Sequence, residues 1–80
     1  MKYAVIFEKT STGYCAHAPD VPRCFTTGAT IEETKRNIKE ALDFHFEGIR
    51  EDGDPIPDST TEIDYVDVEV PTASDALPAL

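Results

Sequence analysis

The chain has 80 residues, and 16 acidic against 7 basic side chains give it a formal net charge of −9. Residues 1–40 carry six basic and five acidic side chains, whereas residues 41–80 carry one basic and eleven acidic ones. This distribution argues against nucleic acid or an anionic membrane as the main partner, because phosphate binding requires clustered Lys and Arg. It fits a basic protein partner, or it serves solubility alone.

The composition, with 40% hydrophobic and 29% charged residues, is typical of one small folded domain. No apolar run approaches the roughly 20 residues of a membrane span. Residues 1–8 reach an acidic side chain too soon for the core of a signal peptide, so we expect a cytoplasmic protein. Cys15 and Cys24 lack the spacing of a metal site, and we predict two buried thiols rather than a disulfide.

Three strands are predicted in the first part of the chain. Residues 2–8 are nearly continuous apolar sequence, which indicates a strand covered on both faces and therefore a central one. A short polar turn separates it from a returning strand at 14–18, and a turn with two prolines precedes a third strand at 24–27. The short connections make the three strands antiparallel.

A helix is predicted over residues 31–52. Thr30 and Glu33 have the spacing of a capping box at its start, and Gly53 is a stop signal followed by prolines. At about 100° per residue, one stripe of mostly apolar side chains is formed by Ile31, Thr34, Ile38, Ala41, Leu42, His45, Phe46 and Ile49.

Residues 63–70 alternate between two faces, with Val66, Val68 and Val70 on one of them. The acidic opposite face predicts a fourth strand at the edge of the sheet. The helix is a crossover that returns this strand parallel to the third strand. The expected fold is therefore α+β with the element order β-β-β-α-β, and its four strands are expected in the spatial order 3-2-1-4.

The predicted domain covers residues 1–70, and residues 71–80 are expected to form a flexible tail. The one helix, about 10–12 Å across, lies on one face and cannot cover four strands that span roughly 19 Å. The uncovered apolar side chains must face solvent or a second subunit, so we expect a homo-oligomer.

Side chains capable of catalysis are present but poorly arranged for it. His45 lies in the apolar stripe and is interpreted as a core or rim histidine bonded to the backbone. Cys15 and His17 share a face of the second strand, but no orienting acid or oxyanion loop accompanies them. The acids do not converge from neighbouring strand centres, and the glycines are isolated. We therefore predict no catalytic, cofactor-binding or metal-binding residue, and an enzyme with a vestigial nuclease or Cys15/His17 site stays an alternative.

One constellation on the predicted helix indicates binding. Opposite the apolar stripe, helical spacing aligns four acids and one aromatic side chain, which are Glu40, Asp43, Phe44, Glu47 and Glu51. The acids lie toward the helix C-terminus, where the helix dipole disfavours negative charge, so local stability does not explain their placement. We predict these five as partner-binding residues. The alternative is a solvated helix face with one stray aromatic side chain.

Three stretches of the sequence resemble the HicB-like antitoxin family. They are GYCAHAPDVPRC at 13–24, TGATIEET at 27–34 and ALDFHFEGI at 41–49, and the likeness covers residues 1–70. The resemblance implies a partial RNase H-like β-β-β-α-β domain without nuclease activity. It also implies a partner, because HicB-type proteins bind and neutralise HicA-type toxins, which are small, basic, mRNA-cleaving ribonucleases.

The chain departs from this family pattern in two places. Only ten residues follow Val70, too few for the C-terminal DNA-binding segment of many relatives, so direct nucleic-acid binding is not expected. Arg23 stands where the family motif often has Gly, a difference that a tighter turn in relatives would explain. The leading hypothesis is a non-catalytic antitoxin module of a type II toxin–antitoxin system. The alternative is an orphan oligomeric HicB-like domain with another protein-binding or regulatory role.

Overall fold

The computed structural model describes residues 1–71, which form a three-stranded antiparallel sheet and one helix. The strands are β1 (Ile6–Lys9), β2 (Tyr14–His17) and β3 (Phe25–Gly28), in the spatial order β1-β2-β3, and the helix is α1 (Ile31–Asp52). The α+β class and the antiparallel meander are confirmed. The flexible tail predicted at 71–80 lies, apart from Pro71, outside the described residues. Within residues 1–71, no helix combines the length and apolar character that crossing a bilayer requires.

The two ends of α1 follow from its capping residues. The backbone N–H of Glu33 donates to Thr30 Oγ1 at 3.0 Å, and a Glu33 carboxylate oxygen accepts the N–H of Ala29 at 3.3 Å. Gly53 ends the helix in the left-handed conformation, with φ at 74°, and its N–H donates to the carbonyl of Arg50 at 3.2 Å. The predicted bounds 31–52 are confirmed, because both ends are specified by neighbouring residues alone.

A small core lies between α1 and the sheet. Its buried apolar side chains are Ala16, Ala18, Val21, Cys24 and Ile38, and Thr34 is buried with them. The helix packs on β3 and β2 rather than on β1. Gly28 permits this close approach, because a Cβ there would lie only 2.8 Å from the backbone nitrogen of Thr34. The helix-facing surface of β1 is consequently left only partly covered.

The ladder register gives the sheet two different faces. Phe7, Ala16 and Thr26 lie opposite one another on the face that carries the helix. The neighbouring row of Ile6, His17 and Phe25 belongs to the other face, where Phe25 is exposed. Within residues 1–71, β1 pairs only with β2, so the prediction of a central first strand covered on both faces is wrong.

The predicted fourth strand at 63–70 does not form, so the predicted spatial order 3-2-1-4 reduces to three strands with β1 at the edge. The residues before this segment are held by Asp20. Asp20 accepts the backbone N–H groups of Thr60 and Thr61, both at 2.9 Å, and their hydroxyls at 3.0 and 2.7 Å. Asp20 follows β2, so these four bonds, which we call the Asp20 clasp, hold residues 60–61 beside the turn after β2. An alternating pattern alone does not specify a pairing partner, and among the described residues 63–70 pair with no strand.

The segment between the helix and the clasp crosses the end of the sheet in a defined path. The hydroxyl of Tyr3 donates to the carbonyl of Pro57 at 2.5 Å, and the hydroxyl of Ser59 donates to the carbonyl of Lys2. Beyond the clasp, residues 62–70 leave the body of the domain, and we call them the C-terminal arm. The Cα radius of gyration is 17.5 Å, against about 12 Å for a compact domain of this length. The fold is thus a compact body with an extended arm.

Candidate functional site: an acidic helix face

The five residues predicted to bind a partner lie together on the solvent side of α1. We call them the acidic ridge: Glu40, Asp43, Phe44, Glu47 and Glu51, all of which are exposed. Their helical spacing places them opposite Ile38 and Leu42, which face the core. Phe44 is 72% exposed, so packing within the domain does not explain an aromatic residue at this position. The structure brings the predicted set together, and its binding role stays a prediction.

Two acids of the ridge are paired with basic neighbours on the same helix. Lys39 Nζ lies 2.8 Å from Asp43 Oδ2, and Arg50 Nη2 lies 2.8 Å from Glu47 Oε1. The hydrogen bond and charge of Asp43 raise the pKa of Lys39. Both pairs are exposed, and exposed ion pairs contribute little to stability, so a partner can displace them at small cost.

The sequence interpretation overlooked both pairs, although their i,i+4 and i,i+3 spacings are visible in the sequence. Their effect is to place positive charge along one border of the acidic ridge. Glu40 and Glu51 form no ion pair with any residue that the structure describes. The free negative charge of the ridge is therefore concentrated on these two residues.

A shallow cavity of about 650 Å³ lies beside Phe44 on the C-terminal half of the helix. Gly48 is one of its lining residues, and a Cβ at that position would meet nothing within 4 Å. The remaining lining residues are Ala41, His45, Ile49, Asp52 and Asp54. The floor is apolar and the margin is acidic, a combination that suits an apolar side chain flanked by a positively charged one.

The cysteines and histidines considered for catalysis lie in three parts of the domain: Cys15 and His17 on the open face of the sheet, Cys24 in the core, and His45 on α1. Cys15 and Cys24 lie on opposite faces of the sheet, since Cys15 pairs with Thr27 on the open face while Cys24 belongs to the core. Both cysteines are free, Cys24 is buried, and Cys15 is half-buried. His45 lies at the rim of the Phe44 cavity, but within residues 1–71 it forms no hydrogen bond to the backbone, contrary to the sequence interpretation. No group of three potential metal ligands occurs among the described residues.

Arg23 occupies a strained position in the connection between β2 and β3. This connection consists of two successive four-residue turns, closed by hydrogen bonds from Val21 N–H to Ala18 O at 3.1 Å and from Cys24 N–H to Val21 O at 3.3 Å. Pro22 and Arg23 are the central residues of the second turn, and Arg23 has a φ of 64°. A positive φ at the third residue of a turn whose second residue is proline is typical of a type II turn, in which Gly is favoured at that third position. The turn geometry therefore favours Gly over Arg at position 23.

The geometry defines a small α+β domain whose single helix packs on a three-stranded antiparallel sheet and turns a charged face outward. A family model described as a HicB_like antitoxin of a bacterial toxin-antitoxin system matches residues 3–79. The chain therefore belongs to the HicB-like antitoxin family.

Individual relatives are similar over most of this chain. A UPF0150 protein of Thermoplasma acidophilum is 40% identical over 63 residues, which are 78% of this chain and 91% of that protein. Antitoxin HicB 2 of Photorhabdus laumondii is 39% identical over 91% of this chain and 52% of its own length. An uncharacterized 14.9 kDa protein of Haemophilus phage HP1 is 42% identical over 82% of this chain and 50% of its own. The chain thus spans about half the length of the phage and Photorhabdus proteins.

A solved structure is also similar. A chain of the HicA3 and HicB3 toxin-antitoxin complex matches 75% of this chain with a TM-score of 0.65 and 30% sequence identity, and the match covers 70% of that chain.

Proposed function

We propose that this chain is the antitoxin of a HicAB-like pair and neutralises a small, basic, mRNA-cleaving toxin by binding it in the cytoplasm. Support comes from relatives that are named HicB antitoxins and from the similarity to a chain of a toxin-antitoxin complex. A non-catalytic role and a partial RNase H-like architecture are parts of the same proposal.

The observation that carries this proposal is the exposed aromatic side chain of Phe44 within an acidic helix face. Large aromatic residues surrounded by polar ones are typical anchors of protein interfaces. The acids around Phe44 would accelerate encounter with a basic partner and orient it, and Phe44 with its adjacent cavity would supply the apolar contact. An antitoxin that covers the basic surface of a ribonuclease also removes the charge with which that enzyme holds RNA.

The first test is co-expression with a HicA-type toxin, for which the genes adjacent to that of this chain are the candidates. We expect growth to be restored by the unmodified chain and lost with Phe44→Ala combined with Glu40→Lys and Glu51→Lys. These two acids are chosen because no ion pair of the described residues is lost with them. A chain that neutralises no neighbouring toxin, or that co-purifies with none, would refute the antitoxin assignment.

A matched control separates the acidic ridge from net charge. Glu8→Lys combined with Asp58→Lys changes the charge by the same amount at exposed positions outside the ridge. We expect the ridge variant to weaken toxin binding about 100-fold at low salt, as loss of an interface anchor typically does. The control should retain most of the affinity. Equal losses of toxin affinity in both variants would show that net charge, and not the acidic ridge, determines binding.

The second candidate function is that of an orphan oligomeric domain with another protein-binding or regulatory role. The partly uncovered helix-facing surface of β1 favours it, because an uncovered apolar surface indicates a further contact. The two candidates differ in their dependence on a neighbouring toxin, so the co-expression experiment distinguishes them.

A further inference from the structure

Gly48 lies inside α1 at a position where the domain itself gains nothing from glycine. Each of the other three glycines is required by the fold. A Cβ at Gly13 or Gly28 would collide with neighbouring backbone, and Gly53 has a positive φ. Gly48 is exposed and helical, and a Cβ there would meet nothing within 4 Å. Glycine is unfavourable in a helix interior because it loses the most backbone freedom on folding. Local stability therefore does not explain Gly48.

The surroundings of Gly48 have the spacing of a seam between two helices. Gly48 lines the cavity of about 650 Å³ beside Phe44, together with Ala41 one turn further back. Residues 41, 44 and 48 follow one another at intervals of three and four, which is the spacing of the contact positions in paired helices. The cavity continues to Asp52, so it extends over roughly 16 Å of the helix. The exposed ring of Phe44 stands between two small residues on this seam.

The C-terminal end of the Phe44 cavity is negatively charged. The N–H of Gly53 donates to the carbonyl of Arg50 at 3.2 Å, and the next N–H, that of Asp54, donates to the carbonyl of Ile49 at 3.1 Å. This helix ending turns the chain back, and Asp54 lines the cavity with Asp52. Neither aspartate forms an ion pair with a described residue. The dipole of α1 adds negative potential at the same end, which suits a positively charged side chain.

The shape of this surface favours a helix over an extended segment or a small ligand. The backbone groups of α1 are bonded within the helix, so they offer no hydrogen bonds to an extended chain laid beside them. A helix satisfies its own backbone and needs only side-chain contacts. The cavity is shallow, whereas small-molecule sites enclose most of their ligand. A partner helix is therefore the occupant that this surface fits best.

We propose that a basic helix of the toxin packs along α1 at Gly48. One of its apolar side chains lies against Phe44 and Gly48, and a Lys or Arg one or two turns away lies beside Asp52 and Asp54. Gly48 allows the two helices to approach more closely than any side chain at this position would. This inference rests on the proposed antitoxin function, and it adds the secondary structure of the toxin segment and the point of closest contact.

The experiment measures stability and toxin affinity of the full chain in the same variants, by urea denaturation and by calorimetric titration with a catalytically inactive HicA-type toxin. We expect Gly48→Ala and Gly48→Leu to raise the urea midpoint, because both residues favour a helix and the added atoms meet no neighbour. Both should nevertheless weaken toxin binding, about 10-fold for alanine and about 100-fold for leucine, because the added side chain separates the helices.

The matched control is Lys35→Leu. It adds the same side chain at an exposed position of α1 outside the Phe44 cavity, and it should bind the toxin as the unmodified chain does. Undiminished affinity of Gly48→Leu would overturn this inference and leave the antitoxin function standing. A Gly48→Leu chain that loses stability together with affinity would overturn it as well, because glycine would then serve the fold. If the unmodified chain binds no toxin, the proposed function fails together with this inference.

A second measurement identifies the segment that binds. In a complex of isotope-labelled chain with the unlabelled inactive toxin, we expect NMR contacts from the Phe44 ring and the Gly48 Hα atoms to a helix of the toxin. Asp52→Asn combined with Asp54→Asn should weaken binding and reduce its dependence on salt. Contacts confined to the sheet, or made by an extended segment of the toxin, would contradict the proposed helix pair.

Discussion

Arg23→Gly should stabilise the domain, and the size of the gain can be worked from the turn. Arg23 has a φ of 64°, and in this left-handed region a side chain costs about 1–2 kcal/mol. Glycine removes that cost but adds about 0.5–1 kcal/mol of backbone entropy in the unfolded chain. Because the Arg23 side chain is exposed, little packing is lost. The expected net gain in the free energy of unfolding is about 0.5–1 kcal/mol.

The assay is chemical denaturation followed by circular dichroism, with all variants measured at one protein concentration. Thermal melting should show an increase of roughly 2–8 °C for a domain of this size. Arg23→Ala is the matched control, since it removes the long side chain but keeps the Cβ that causes the strain. If glycine and alanine at this position give the same free energy of unfolding, the reasoning from backbone strain is wrong.

Further predictions concern the Asp20 clasp and two glycines. The four hydrogen bonds, foremost those from Thr61, hold the pKa of Asp20 below its ordinary value. Because the folded pKa is the lower one, the clasp is fully present above the ordinary carboxyl pKa and is lost as pH falls through the lowered value. The protection factors of the two clasped threonine amides against hydrogen exchange should fall in that acidic range, and in Asp20→Asn they should be low at all pH values. Gly28→Ala should lower the free energy of unfolding by about 1–3 kcal/mol through its clash with Thr34, whereas Gly48→Ala, in open space on the helix, should raise it by about 1 kcal/mol. Urea denaturation checks both, and equal effects of the two alanines would contradict the packing argument.

Both ends of the helix could be predicted from the sequence to the exact residue. The absence of the fourth strand could not be predicted. Thr30, Glu33 and Gly53 act on backbone groups within a few residues of themselves, so their effect is visible in the sequence. Alternation at 63–70 indicates only that a segment suits a pleated surface. Which edge it meets depends on where the preceding chain is held. Here the preceding residues are held by Asp20, about 40 positions earlier in the chain.

In the candidate site, too, features fixed by neighbouring residues could be predicted, and features fixed by tertiary packing could not. Helical periodicity was sufficient to place the five ridge residues on one exposed face. The ion pairs of Asp43 and Glu47 also follow from spacing along one helix, and the sequence could have revealed them. The apolar groove between β1 and α1, lined by Phe7, Ile38 and Leu42 among others, could not be predicted, because it results from how far the helix is displaced toward β3. That displacement depends on the close contact of Gly28 with Thr34, which is a property of packing in three dimensions.

The two cysteines lie on opposite faces of the sheet, so their alkylation rates report on two different parts of the domain. Burial raises the pKa of the Cys24 thiol, so less of the reactive thiolate is present, and its core position also bars reagents. Cys15 is half-buried on the open face and accessible in part without unfolding. In an alkylation time course, Cys15 therefore reports the occupancy of the open face, and Cys24 reports the fraction of molecules whose helix has left the sheet.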